Sequence, residues 1–112
     1  MKSLKLRLSS GLLIFVAAFL MTGAPAHAQD AAGLYKSKCA GCHGADGKGD
    51  TPVAKKLGVR DFASPEVQKE TDQELIDVTT KGRNKMPGYA SSLKDTQIKD
   101  LVAYIRDLAK KK

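Results

Sequence analysis

The sequence predicts an all-α domain, and three observations carry that prediction. Near the C-terminus, Ile98, Leu101, Val102, Ile105, Leu108 and Ala109 recur at the spacings of one helical face. Pro, Gly and capping residues divide the preceding chain into short helical segments. No segment sustains the apolar–polar alternation of a half-buried strand.

The first 28 residues read as a removable address. Lys2, Lys5 and Arg7 form a basic start with no acid among them. Eleven uncharged residues follow, from Gly11 to Met21, and then Ala26-His27-Ala28, an A-x-A cleavage pattern. The expectation is cleavage after Ala28, export to a periplasm, and a domain over residues 29–112 with no membrane anchor. The alternative is an uncleaved anchor helix. The apolar run argues against it, because a membrane span needs about 20 residues.

Processing changes the arithmetic of the chain. All 112 residues carry 19 Lys and Arg against 12 Asp and Glu, a net charge of +7. That length excludes a multidomain enzyme, and two Cys exclude a disulfide-dense scaffold. Residues 29–112 retain 16 bases and all 12 acids, a net charge of +4, with one His, one Met and one Phe. Leu, Ile, Val and Phe make up only 15 of those 84 residues. So thin an apolar content belongs to a disordered chain, or to a small domain whose core something else completes.

The elements of the exported part follow in order. A first helix is expected from Asp30, an N-cap candidate, to about Cys42. A Gly-rich loop runs from Gly44 to Asp50. Pro52 opens a short helical turn over Val53 to Leu57, and Gly58 closes it. Ser64-Pro65 reads as an N-cap and first helical residue. Thr71-Asp72-Gln73-Glu74 is a capping box, opening a helix that stops at Lys81-Gly82. Residues 83–92 form a loop punctuated by Pro87 and Gly88. The last helix runs from about Asp95 to Ala109.

The chemistry lies in Cys39-Ala40-Gly41-Cys42-His43. This C-x-x-C-H pattern is the attachment motif of haem c. Its two thiols are spaced to form thioethers with the two vinyl groups on one haem edge, and the adjacent His43 is then held as an axial ligand. Three readings compete. A thioredoxin-like dithiol needs a βαβ context that is absent from this pattern. Structural zinc needs four ligands, and the exported chain offers Cys39, Cys42 and His43. A plain disulfide would close a strained three-residue loop. A second axial ligand follows by elimination. Met86 is the lone Met after residue 28 and stands in Lys85-Met86-Pro87-Gly88-Tyr89, off any apolar helical stripe. Its alternative use is to fill a gap in the core. A His43/Met86 pair favours electron transfer, because methionine raises the potential and leaves no open coordination position.

The sequence resembles the class I c-type cytochromes, small monohaem carriers with His/Met ligation. The likeness rests on Leu34 to Gly44, on Lys81-Gly82-Arg83-Asn84-Lys85-Met86-Pro87, and on Leu101-Val102-Ala103-Tyr104-Ile105. It implies three to five short helices around one covalently bound haem c, with N- and C-terminal helices crossing. Tyr35 and Tyr104 match aromatics at that crossing. Pro52 resembles the residue whose carbonyl accepts the Nδ1–H of the proximal His, here His43. Asn84 or Tyr89 would hydrogen-bond near the Met sulfur or a propionate. Two departures stand out. Ala31 occupies a position commonly held by Gly, with Gly33 two residues on, so a shifted crossing is expected. Lys94 stands where a Ser or Thr often caps the last helix, with Asp95 as substitute.

The functional expectation is a periplasmic one-electron shuttle, monomeric and not an enzyme. Two ionised propionates would lower its charge by about 2, which is no nucleic-acid signature. Lys36, Lys38, Lys55, Lys56, Lys81, Arg83 and Lys85 would instead face acidic surfaces of redox-partner proteins. The alternatives are a small haem enzyme or gas sensor with an open iron site, or a dedicated electron-transfer subunit of a larger complex.

Overall fold

The computed structural model describes residues 26–111. The address segment therefore lies outside the described residues except for the backbone of its last three. Six helical segments appear among the described residues: α1 (Ala26–Lys38), α2 (Ala40–His43), α3 (Pro52–Leu57), α4 (Pro65–Lys69), α5 (Asp72–Lys81) and α6 (Asp95–Lys110).

The predicted first helix differs from the observed one at both ends. It begins at Ala26 and not at Asp30, because Ala-His-Ala-Gln continues the helix back toward Pro25. It also breaks at Cys39, where φ is −117° and ψ is −38°. The chain then re-forms one turn, with the amides of Cys42 and His43 both donating to the Cys39 carbonyl at 3.2 and 2.9 Å.

The middle segments follow their local signals closely. Thr51 caps α3 by accepting from the Ala54 amide at 3.0 Å, and Gly58 closes it in a left-handed conformation. Pro65 starts α4, although the Ser64 hydroxyl makes no capping bond. The capping box of α5 is complete: the Glu74 amide donates to Thr71 Oγ1 at 3.1 Å, and the Thr71 amide donates to Glu74 Oε2 at 2.6 Å.

At α6 the expected substitute cap is not used. Lys94 is the N-cap residue, and its amide donates to Gln97 Oε1 at 2.8 Å. Asp95 lies in the first turn, where its charge favours the helix dipole without capping it.

The core forms where α6 crosses α1 and meets α5. Ile98, Leu101, Val102 and Leu108 of α6 pack with Tyr35, Leu75, Phe62 and Val67. The Tyr35 and Tyr104 rings lie 5.3 Å apart, as expected of aromatics at the crossing. The crossing has not shifted to Gly33. Ala31 and Tyr35, one turn apart, are each 2% exposed, whereas Gly33 is exposed. A methyl group is small enough for the close approach. Arg106 fastens the far side of α6: its guanidinium meets Asp72 at 3.0 Å and donates to the carbonyls of Glu70 and Val67 at the end of α4.

Candidate haem site

A cavity of about 260 Å³ opens inside this frame. Cys39, Cys42, His43 and Met86 all line it, so the fold gathers in one place four side chains drawn from two distant segments. Much of the remaining wall is apolar, with Phe62, Leu75, Val78, Leu101 and Ile105 prominent.

The turn of α2 holds three of the four. Tyr35 fixes that turn to α1, because its hydroxyl donates to the Gly44 carbonyl at 2.6 Å. Burial pushes the Tyr35 phenol well above its usual range, so it stays a neutral donor. The His43 ring stacks on Phe62, with centroids 4.7 Å apart and planes at 23°. Burial lowers the His43 pKa and keeps the imidazole neutral, the form that ligates a metal. Its Nδ1 is buried without a hydrogen-bond partner. The two cysteines are unbridged, Cys39 half-buried and Cys42 exposed. Burial raises the Cys39 thiol pKa; the Lys38 charge opposes that shift and Cys42 adds to it.

Met86 arrives on a different kind of support. The amide of Arg83 donates to the Met86 carbonyl at 3.1 Å, and the Met86 amide returns a bond to the Arg83 carbonyl at 3.0 Å. This turn sits on the C-terminus of α5. Helix ends leave carbonyls unpaired, and here the amides of Tyr89 and Ala90 donate to Thr79 and Thr80 at 2.9 and 3.1 Å. Two glycines permit the contact. Gly82 has φ +81°, and a Cβ there would lie 2.7 Å from the Met86 carbonyl oxygen and the Gly88 nitrogen. A Cβ on Gly88 would lie 2.6 Å from the Lys81 carbonyl carbon.

The other predicted site residues are distributed less simply. Pro52 is the exposed first residue of α3 and does not line the cavity. The bond expected between its carbonyl and His43 Nδ1 is not made here, since that nitrogen has no partner. Asn84 and Tyr89 both reach the wall. The Tyr89 hydroxyl is already committed, donating to the Lys38 carbonyl at 3.1 Å. Asn84 adopts φ +56°, a conformation Asn tolerates better than most residues.

Among the wall residues that the sequence reading missed are Phe62 and Glu70. Phe62 is the lone Phe after residue 28, and that scarcity was its one signal. Glu70 carried none. It lines the cavity, and its Oε1 pairs with Arg83 Nη1 at 2.8 Å.

These residues fit a covalently held haem. Two free thiols, three residues apart in sequence, line the cavity beside a neutral imidazole, a thioether and an apolar wall. The orphaned Nδ1 leaves unmet the hydrogen bond that would orient a ligating ring. Fold and cavity together define a small, all-α c-type cytochrome of class I. Residues 26–105 match the family described as cytochrome C oxidase, cbb3-type, subunit III, and the chain belongs to that cytochrome c family. Cytochrome c6 of Thermostichus vulcanus is 32% identical over 111 residues, covering 96% of each chain. Cytochrome c6 of a Nostoc species is 30% identical over 95 residues, covering 85% of this chain and 83% of its own. The solved structure of the KustC0563 c-type cytochrome aligns with a TM-score of 0.65 at 33% identity, covering 70% of this chain and 96% of that one. The protein is thus a haem c electron-transfer protein, and it exchanges electrons with redox partners. Among the described residues, no helix is long and apolar enough to cross a membrane.

Proposed function

We propose that the chain is an exported, monomeric one-electron shuttle in which Cys39 and Cys42 bind haem c as thioethers and His43 and Met86 are the axial ligands. The observation that carries this reading is the convergence of all four residues on one cavity. Haem c supplies a one-electron iron couple. The chain's own residues attach it, orient it and exclude water from it. The α2 turn holds His43 against Phe62, and the turn on the end of α5 presents the Met86 sulfur. The Pro52 carbonyl is the acceptor we assign to Nδ1–H, a bond that would fix the tautomer. With His43 and Met86 both bound, the iron would keep no position for substrate, which favours a carrier over an enzyme or gas sensor.

Export by residues 1–28 places the domain, residues 29–112, in the periplasm. Lys36, Lys38, Lys55, Lys56, Lys81 and Lys85 are exposed and are assigned to docking on acidic faces of redox partners. Electron exchange with a partner should therefore slow as salt is raised.

Intact mass of the exported protein tests the reading directly. It should show the loss of residues 1–28 and the gain of one haem. The ferric protein should then show the weak far-red band of sulfur bound to iron, and Met86→Ala should abolish it. Ready CO binding by the unaltered protein, without denaturant, would overturn the shuttle in favour of an open iron site.

A further inference from the structure

We infer that Glu70 is a positioning residue for the Met86 turn. It lies on α4's C-terminal boundary, thirteen residues before its partner, and no reading of the haem motif includes it. The inference rests on the assignment of Met86 as an iron ligand for its redox consequence, and on the geometry alone for its mechanical one.

Three observations build it. First, Arg83 and Met86 exchange both backbone hydrogen bonds, so whatever fixes Arg83 also fixes the backbone of Met86. Second, the Arg83 guanidinium meets the Glu70 carboxylate at 2.8 Å, and the Glu70 side chain is only 18% exposed against 42% for Arg83. The carboxylate is therefore the firmer of the two anchors. Third, Glu70 is itself held from behind. Its backbone carbonyl accepts from Arg106 of α6, and Arg106 also meets Asp72 at 3.0 Å. A chain of charge-assisted contacts thus runs from the last helix, through the end of α4, to the ligand turn.

The glycine contacts and the Tyr89 and Ala90 amides fasten the α5 side of this loop. Nothing in those contacts fixes the side that faces α4. The Glu70–Arg83 pair spans that side. With both flanks held, Met86 is presented to the cavity in one place. With the α4 flank released, the turn can swing about its α5 attachment. Both Glu70 and Arg83 line the same cavity as Met86, so a change in the pair is felt at the haem.

The test uses the intact holoprotein. Glu70→Gln keeps the side-chain shape and removes its charge, and Glu70→Lys places two cations together. Two readouts separate the mechanical claim from the ligation it serves. Hydrogen exchange at the Arg83 and Met86 amides reports the turn, and the far-red band with CO binding reports the sulfur on iron. Exchange at both amides should rise about fivefold in Glu70→Gln and further in Glu70→Lys, with the band weakened and CO bound faster. The exchanged pair, Glu70→Arg with Arg83→Glu, should restore both readouts. Unchanged amide exchange in both single variants overturns the inference, whatever the band does. Amides that respond in a protein lacking the band sustain the positioning role while removing Met86 from the iron.

Discussion

The two halves of the haem site are built in different ways. Cys39, Cys42 and His43 sit within five consecutive residues, on a turn held by its own backbone bonds and by one tyrosine. Met86 sits on a turn that has no helix of its own. It depends on a helix end, two glycines, a tyrosine and an ion pair drawn from elsewhere in the chain. The first half is local, whereas the second is assembled from distant parts of the chain. A site built this way has one permanent face and one conditional face.

The largest expected effect comes from removing the permanent face. Cys39→Ala with Cys42→Ala should leave no covalent haem on the intact protein by mass. Cooperative thermal unfolding should be largely lost as well, since residues 29–112 have too little apolar material to complete a core alone. A compact, cooperatively melting apoprotein would show that the helices suffice. Next is Gly82→Ala, which forces a side chain into a positive-φ position against the Met86 carbonyl. It should destabilise the holoprotein by about 2–3 kcal/mol, and the far-red band should fade on warming before the haem environment of His43 changes. Simultaneous loss of both would mean the two faces are not separable.

The two tyrosines sharpen the contrast. Tyr35→Phe strips a bonded partner from the buried Gly44 carbonyl on the cysteine side. It should lower stability by about 1–2 kcal/mol in denaturant titration. Tyr89→Phe removes the exposed bond to Lys38 that joins the Met segment to α1. Its effect should be smaller, about 0.5–1 kcal/mol, yet it alone should disturb the band. If Tyr35→Phe disturbs the band more, the division between the halves is wrong.

Legibility followed the same division. The capping box at Thr71, the Pro52–Gly58 bounds of α3 and the apolar stripe of α6 were readable because each rests on neighbours within a few residues. The break at Cys39 was not, because one continuous helical pattern runs through it. Asp95 looked like a cap from its residue type, but Gln97, three residues past Lys94, supplied the bond. Ala31 looked too large for the crossing, and only the packed helices showed that a methyl fits. Phe62 under His43, and Glu70 against Arg83, lay beyond any local signal.

The sequence by itself determined the helical class, the C-x-x-C-H turn, the scarcity of Met and His and the need for a group to complete the core. Those properties depend on residue type and short spacing, which the chain carries without folding. Tertiary structure alone decided that Met86 shares a cavity with His43, that Phe62 stacks on the imidazole ring, and that an ion pair bridges the end of α4 to the Met86 turn. Such contacts join residues 13 to 43 positions apart, and only the packing of α6 across α1 and α5 brings them within reach.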